Sequence, residues 1–193
     1  GTHMSFEDMG IVRGLAHANV IEVTDGTMME NLVKQLVELN GFYWVRTIRK
    51  NAVKIYDEGE QFTIGKAKVL REGKDITLIA NGIMVAEALE AADRLQQQGI
   101  EASVLDMFTL KPLDQQAVID FAKLTKRVVT CENHSIQNGL GSAVAEVLSE
   151  NIPTPLRRVG IKQRYGQVGT LDFLMKEYEL TAEDIVKQAF SLF

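Results

Sequence analysis

Two short clusters of polar side chains give this sequence its capacity for chemistry. His3 stands four residues before the acidic pair Glu7 and Asp8. Arg46 and Arg49 lie three positions apart, at the end of an aromatic and β-branched stretch. A neutral imidazole can form a hydrogen bond or relay a proton near neutral pH. A planar guanidinium binds a phosphate through two hydrogen bonds. These residue types therefore indicate proton relay and phosphate binding.

A third cluster follows an apolar run at residues 127–131. Glu132 and His134 come directly after it, at the carboxyl end of a predicted strand, where open α/β sheets bind their ligands. We expect a local hydrogen-bonding role for His134. Gly139 and Gly141 then precede a predicted helix, a pattern that can hold an anion. Close packing of the helix against the strand explains the two glycines equally well.

The elements that must position these residues alternate between strand and helix patterns. In the first part, residues 5–14 and 28–39 have helical spacing of apolar residues, and residues 19–24 and 42–47 are typical of strands. Charged, Gly-bearing sequence at 51–68 interrupts the alternation and is typical of a long connection. We therefore predict a first unit at 1–63 and a second at 64–193.

The second unit has the stronger pattern. Strands are predicted at 75–80, 101–107, 127–131 and 156–161, and helices at 84–98, 112–122 and 141–149. A last helix begins after Thr181, where Asp184 completes a capping box with Asp in place of Glu. The run at 127–131 is almost wholly apolar, as in parallel sheets that are covered on both faces. The fold class is α/β, with an incomplete first unit and a complete second unit on a mostly parallel sheet.

Composition excludes several classes of function. The chain has 193 residues, 46% of them hydrophobic, with 26 acidic against 21 basic side chains. That balance gives no basic footprint for a nucleic acid, and no apolar run is long enough for a membrane span. The single cysteine fits a reducing, cytoplasmic environment. No nucleic-acid or membrane partner is therefore expected.

Three stretches together resemble the C-terminal half of transketolase-type enzymes that depend on thiamine diphosphate. Residues 2–13 (THMSFEDMGIVR) are similar to the family's T-H-x-x-x-E-D-x-x-x-x-R segment. Residues 99–114 (GIEASVLDMFTLKPLD) resemble its G-I-x-A-x-V-x-D-x-x-T-L-K-P-L-D stretch. Residues 132–135 (ENHS) with 139–143 (GLGSA) resemble its E-x-H-x-x-x-G-G-L-G-S-A, with Asn138 where the family often has a glycine. The E-D after T-H is more similar to two-gene bacterial transketolases than to deoxyxylulose-phosphate synthases.

The resemblance implies ketol transfer, in which a two-carbon unit passes from a ketose phosphate to an aldose phosphate in pentose phosphate metabolism. It implies thiamine diphosphate and Mg²⁺ as cofactors. The sequence has no G-D-G motif followed by Asn at the family's spacing. The diphosphate and metal are therefore expected on a partner chain or an N-terminal part, and the catalytic glutamate and stacking aromatic upstream of Gly1. The chain by itself is expected to be inactive.

The same resemblance assigns roles to single residues. His3 matches the histidine that contacts the hydroxyls of the ketol unit, although Gly-Thr-His-Met could also be a remnant of an expression tag. Arg49 matches the residue that binds the substrate phosphate, and Arg46 is the second candidate for that role. No residue of this chain is assigned to the cofactor or to a metal.

Two other functions remain open at this point. A β subunit of a 2-oxo-acid dehydrogenase, or a 1-deoxyxylulose-5-phosphate synthase, would keep the cofactor and change the reaction. Alternatively, the chain is a non-catalytic module whose purpose is assembly. In each case the unfinished first unit predicts association. The partner is an N-terminal transketolase subunit or a second copy, as in a dimer.

Overall fold

The computed structural model describes residues 5–49 and 51–193, and His3 lies outside them. The first part of the chain forms α1 (Asp8–Arg13), β1 (Ala18–Glu22), α2 (Gly26–Leu36) and β2 (Phe42–Arg46). The strands β1 and β2 are parallel. Each predicted element of this part is present, with its ends displaced by at most three residues.

The second part contains a larger set of elements. In chain order they are β3 (Lys68–Arg71), β4 (Ile76–Ala80), α3 (Met84–Gln96), β5 (Ala102–Asp106), β6 (Thr109–Lys111), α4 (Gln115–Thr125), β7 (Val128–Ser135), α5 (Leu140–Asn151), β8 (Leu156–Ile161), α6 (Leu171–Glu177) and α7 (Ala182–Phe190). The capping box predicted at Thr181 and Asp184 is confirmed. The strands β3 and β6 and the helix α6 were not predicted.

Two sheets result, of three and five strands. The smaller has the order β2-β1-β6, and the larger has the order β3-β5-β4-β7-β8. Among the strands of the described residues, only the two unpredicted ones run antiparallel to their neighbours, β6 against β1 and β3 against β5. The predicted class, α/β with mostly parallel strands, is confirmed.

The strand β6 connects the two parts of the fold. It comes from the stretch after β5, yet it pairs with β1 and so extends the sheet of the first part. One apolar cluster is likewise shared, because Met9 and Val20 of the first part pack with Ile79, Val128 and Leu140 of the second. The carboxyl ends of β1, β2, β4 and β7 are thereby brought to one junction between the sheets.

The core of the larger sheet follows the two-residue period of its strands. In β4, Ile76, Leu78 and Ala80 face one apolar cluster, while Ile79 faces the other. The first cluster is covered by α3 and by α7, whose Ile185 and Ala189 are fully buried. Among the described residues no helix is both long and apolar enough to cross a membrane.

Candidate functional site at the junction of the two sheets

Arg46, the last residue of β2, is the centre of a polar cluster at this junction. Its Nη1 lies 2.5 Å from Oε1 of Glu22, and its Nε lies 3.3 Å from Oδ2 of Asp8. Nη1 also donates to Oδ1 of Asn133 on β7, and Nη2 donates to the carbonyl oxygen of Ser5 at 3.4 Å. Arg46 thus ties both sheets to the segment that follows His3.

The charge of this guanidinium is stabilised although its side chain is only 12% exposed. Burial acts to lower the pKa of Arg46, but the nearby Glu22 and Asp8 carboxylates outweigh it, so that the pKa is raised. An ion pair of this kind depends on both partners, because an unpaired buried charge is expensive. Arg46 and Glu22 therefore form one structural unit.

His134 extends the cluster toward β7. Its Nε2 lies 3.5 Å from Oε2 of Glu22 and 3.4 Å from Nδ2 of the Asn81 side chain. Its Nδ1 lies 3.1 Å from Oε2 of Glu132 and 3.2 Å from the carbonyl oxygen of Ser135. Burial lowers the pKa of His134, in opposition to the Glu22 charge. These contacts are the local hydrogen-bonding role expected from the sequence.

Glu132 is held by the N-terminus of α5. Its Oε1 accepts a hydrogen bond from the backbone N–H of Gly141 at 2.9 Å. A Cβ at Gly139 would lie 2.2 Å from Oε2 of Glu132, so no larger residue fits there without rearrangement. The glycine pattern that could hold an external anion thus holds the chain's own carboxylate. Burial raises the pKa of Glu132 to about 8, although the backbone N–H groups of Gly141 and Leu140 act to lower it.

Asn138 explains how α5 can begin without the glycine that the family often has at this position. Its φ is +59°, in the left-handed region. Glycine occupies that region freely, and asparagine is one of the few other residues that adopts it often. The turn between β7 and α5 is therefore compatible with the observed residue.

A second buried carboxylate lies at the end of β5 and was missed from the sequence. Oδ2 of Asp106 accepts hydrogen bonds from Oγ1 of Thr24 at 2.6 Å and from the hydroxyl of Tyr56 at 2.7 Å. Burial raises the pKa of Asp106 to about 7, against these two hydrogen bonds. The signal in the sequence was an aspartate that ends a largely apolar strand, since the end of such a strand lies at the sheet edge where ligands bind.

The two arginines predicted as phosphate ligands lie in different environments. Arg46 is enclosed by the contacts described above, whereas Arg49 is exposed, three residues beyond the end of β2. A cavity of about 300 Å³ lies nearby, where the connection after β2 passes α3 and α6. Its lining includes Ile48 and Asn51, which flank Arg49 in sequence, together with Gly82. The structure does not bring Arg49 into the Arg46 cluster.

Comparison with known proteins identifies the class to which this fold and junction belong. The family model of the transketolase C-terminal domain matches residues 65–185, and the chain belongs to that family. A solved structure titled "Split gene transketolase, inactive beta4 tetramer" superposes with a TM-score of 0.94 at 40% identity. The superposition covers 99% of this chain and 62% of that one.

Two curated relatives are also similar to almost the whole chain. The chain is 48% identical over 189 residues to a 6-deoxy-6-sulfo-D-fructose transketolase subunit of Clostridium sp. strain MSTE9. That match covers 98% of this chain and 59% of the relative. It is also 35% identical over 191 residues to a 1-deoxy-D-xylulose-5-phosphate synthase of Heliobacterium modesticaldum, covering 97% of this chain and 30% of that enzyme. The chain thus spans about three fifths of the length of the Clostridium relative.

Proposed function

We propose that this chain is the C-terminal subunit or section of a transketolase, a transferase that moves a two-carbon ketol unit between sugar phosphates. The observation that carries the proposal is the 48% identity to a transketolase subunit over 98% of the chain. That alignment is long enough to include the junction at the carboxyl ends of β1, β2, β4 and β7. The same reaction would place the enzyme in cytoplasmic pentose phosphate metabolism.

Within this function, we assign substrate contacts to His3 and Arg49. His3 would hydrogen-bond the hydroxyls of the ketol unit and hold or pass a proton there. Arg49 is exposed and would bind the phosphate through its planar guanidinium. The predicted phosphate role of Arg46 receives less support, because its donors already point at Glu22, Asp8, Asn133 and the carbonyl oxygen of Ser5.

The described residues of this chain do not fit a diphosphate-bound Mg²⁺. Residues 5–49 and 51–193 contain no group of three or more His, Cys, Asp or Glu side chains arranged for a metal ion. At the junction, Arg46 pairs with Oε1 of Glu22, and the N–H of Gly141 binds Oε1 of Glu132. The other oxygen of each carboxylate has no hydrogen-bond partner among the described residues, although Oε2 of Glu132 lies 3.1 Å from Nδ1 of His134. Thiamine diphosphate, which supplies the carbanion chemistry of ketol transfer when bound, would then be held mainly by another part of the enzyme.

An N-terminal transketolase subunit is the partner that we propose, with association through the smaller sheet. The strand β2 is at the edge of that sheet, and Phe42 and Trp44 on it are 50% and 37% exposed. Val37, just beyond α2, is 74% exposed. Exposed apolar side chains on an open sheet edge are typical of a surface that another chain covers. A second copy of this chain is the alternative occupant.

The test of this function is an assay with two donors. The chain, reassembled with its N-terminal partner, thiamine diphosphate and Mg²⁺, is supplied with an aldose phosphate and either a ketose phosphate or pyruvate. We expect product from the ketose phosphate, and Arg49→Gln should raise KM for the phosphorylated donor about tenfold or more, since it removes a charge-assisted bidentate contact. Lys74→Gln, on an exposed side chain paired with Glu101, is the matched control.

The same assay separates the alternatives. Product that forms with pyruvate as the donor but not with the ketose phosphate would favour one of two relatives. These are a 1-deoxyxylulose-5-phosphate synthase, one of which is 35% identical to the chain, and a 2-oxo-acid dehydrogenase β subunit. Full turnover by the partner without this chain would favour a non-catalytic assembly module. Either result would contradict the proposed ketol transfer by the combined enzyme.

A further inference from the structure

His134 lies between two buried carboxylates and faces each of them through a different ring nitrogen. Its Nδ1 is 3.1 Å from Oε2 of Glu132, and its Nε2 is 3.5 Å from Oε2 of Glu22. The side chains of His134 and Glu132 are fully buried, and that of Glu22 is only 4% exposed. These three residues, which we call the junction triad, connect β7 of the larger sheet with β1 of the smaller sheet.

Each carboxylate of the junction triad has one oxygen that is bound and one that is not. Oε1 of Glu132 accepts a hydrogen bond from the N–H of Gly141, and Oε1 of Glu22 is paired with Nη1 of Arg46. Neither Oε2 has a hydrogen-bond partner within residues 5–49 and 51–193. A buried carboxylate oxygen without a donor is destabilising. The geometry therefore requires hydrogens on both sides of the imidazole ring.

The packing around Glu132 leaves the supply of this hydrogen to His134. A Cβ at Gly139 would clash with Oε2 of Glu132, and it would lie 2.6 Å from Nδ1 of His134. The backbone of Gly139 thus closes this side of the contact and leaves no space for a further donor such as a water molecule. The hydrogen that satisfies Oε2 of Glu132 must then lie between this oxygen and Nδ1.

The number of ring hydrogens decides whether both carboxylates are satisfied. A neutral imidazole carries one N–H, and its other nitrogen is an acceptor. It can therefore donate to Glu132 or to Glu22, and one of the two oxygens is left without a donor. One additional proton removes the conflict, because it occupies the contact between Nδ1 and Glu132 while the N–H at Nε2 faces Glu22.

Asn81 is compatible with a hydrogen on Nε2. Its Nδ2 is 3.4 Å from Nε2 of His134, and its Oδ1 is buried without a hydrogen-bond partner in the described part of the chain. The oxygen and nitrogen of a side-chain amide exchange places when the group is rotated. In the rotated orientation, Oδ1 of Asn81 accepts from the same N–H that faces Glu22.

The charges around the junction triad bear on where this proton is held. The charged groups that face Glu132 or His134 from the neighbouring elements are Asp8 on α1, Glu22 on β1, Arg46 on β2 and Arg158 on β8. Asn81 contributes no charge, and the thiol of Cys131 is neutral because burial raises its pKa. Burial raises the pKa of Glu132 to about 8, although Arg158 and the N–H groups of α5 act to lower it.

We propose that Glu132 and His134 share one proton at neutral pH, and that this proton locks the larger sheet to Glu22 of the smaller sheet. When the proton is lost at alkaline pH, the neutral imidazole no longer serves both carboxylates, and the contact between the sheets is weakened. The junction triad is thus a pH-sensitive lock between the two parts of the fold. It acts whether or not the enzyme transfers a ketol unit.

The sign of the pH dependence follows from linkage. The imidazole of the unfolded chain keeps its proton only below about pH 6.5, whereas the folded pair keeps one proton up to about pH 8. The stability that the lock provides is therefore complete below about pH 6.5, and it is lost as pH rises through about 8.

The first test compares Glu132→Gln with the wild type by urea unfolding of the full chain at several pH values. The glutamine amide can accept from the N–H of Gly141 and donate to Nδ1 of His134, but it does not titrate. Between about pH 6.5 and 8, the unfolding equilibrium constant of the wild type should rise about tenfold more than that of Glu132→Gln. Glu101→Gln, on an exposed side chain, is the matched control and should follow the wild type.

A second measurement detects the proton in the wild-type chain itself. Two-bond proton–nitrogen NMR correlations report which ring nitrogens of His134 carry hydrogen. We expect hydrogen on Nε2 from about pH 6.5 to 8. A neutral ring with hydrogen only on Nδ1 at about pH 7 would overturn the proposal. An equal rise of the unfolding constant in the wild type and in Glu132→Gln would do the same.

Hydrogen exchange tests whether the proton holds the two parts together. The N–H of Ser135, at the end of β7, donates to the carbonyl oxygen of Phe6 at 2.7 Å, and that of Thr77 bonds within the larger sheet. Above about pH 8, exchange at Ser135 relative to Thr77 should become faster in the wild type and stay unchanged in Glu132→Gln. A ratio that is independent of pH in the wild type would contradict the lock.

Discussion

The two sheets differ in how completely their strands are covered. In the larger sheet, β4 and β5 bury all five of their residues. In the smaller sheet, β2 has no fully buried residue, although it carries four aromatic or β-branched side chains in a row before Arg46. The edge strand β3 of the larger sheet also has no fully buried residue, but its exposed apolar side chain is Val69, whereas β2 exposes the aromatic rings of Phe42 and Trp44. The smaller sheet therefore has more apolar surface left to bury. At the junction, a unit with fully buried central strands meets a unit whose edge strand exposes apolar side chains.

The largest effect should come from the ion pair that spans this junction. Arg46→Ala would leave Glu22 and Asp8 without their shared cation, and breaking a buried pair in this way costs about 3–5 kcal/mol in the free energy of unfolding. Urea unfolding measures the loss. Lys74→Ala removes an exposed pair with Glu101 and should leave the free energy of unfolding almost unchanged. Equal losses in the two variants would contradict a junction held by Arg46.

Two valines, one in each sheet, allow the burial of the two sheets to be compared by substitution. Val129 in β7 is fully buried, whereas Val45 in β2 is half-buried. We expect Val129→Ala to lower the free energy of unfolding by about 2–3 kcal/mol and Val45→Ala by less than about 1 kcal/mol, in proportion to the buried area lost. Urea unfolding of the isolated chain is the measurement. A loss at Val45 as large as that at Val129 would mean that the smaller sheet is already closed.

The junction should also make stability depend on pH. The pKa of Asp106 is raised by burial to about 7, and that of Glu132 to about 8, so the folded state holds protons that the unfolded state releases near pH 4. The sign follows from linkage: this stabilisation is complete below the unfolded pKa and is lost as pH rises through the folded pKa. The contribution of these two carboxyls to the free energy of unfolding should therefore fall between about pH 4 and 8, by at most about 1.4 kcal/mol per pH unit for each group. The lowered pKa of His134 acts in the opposite direction as pH rises through the ordinary imidazole range.

Asp106→Asn isolates the contribution of one of these groups. The amide oxygen can still accept hydrogen bonds from Thr24 and Tyr56, but it does not titrate. Unfolding measured at several pH values should show a smaller decline in the variant than in the wild type. An unchanged decline would mean that Asp106 is ionised in the folded protein.

The smallest change in the free energy of unfolding is expected at α7, which covers the larger sheet. Thr181 caps α7, where its side chain accepts from the N–H of Asp184 in a capping box. Thr181→Ala should cost about 1 kcal/mol, the usual value for an N-cap. Thr63→Ala, on an exposed residue, is the control and should stay within about 0.5 kcal/mol. Unchanged stability in Thr181→Ala would mean that the cap adds nothing to the covered sheet.

The sequence predicted the strands of the larger sheet best, because burial on both faces leaves a mostly apolar run, as at 128–131. The edge strand Lys68–Arg71 was missed, since it has charged residues at both ends and only partial burial. The three-residue strand Thr109–Lys111 was missed for another reason. It exists through its pairing with β1, almost ninety residues earlier, and local pattern carries no information on such a contact.

The candidate site was predictable only in parts. Arg46 and His134 were both identified as candidates, but their meeting depends on the order of strands in two sheets. Glu22 was overlooked, although a single charged residue inside an apolar strand signals a buried partner, and it is 3% exposed. Asp8 is the first residue of α1, where a carboxylate is favourable toward the helix N-terminus, and local pattern indicates nothing more for it. Its contact with Arg46 comes from the tertiary fold.

A titration with the proposed N-terminal partner tests whether this chain is the C-terminal subunit of a ketol-transferring enzyme. A fixed amount of the proposed N-terminal partner, with thiamine diphosphate and Mg²⁺, is titrated with the chain while transfer from a ketose phosphate to an aldose phosphate is followed. We predict no turnover by either component alone and a rate that saturates at one chain per partner. Turnover by one component alone, or no transfer at any ratio despite complex formation, would contradict this interpretation.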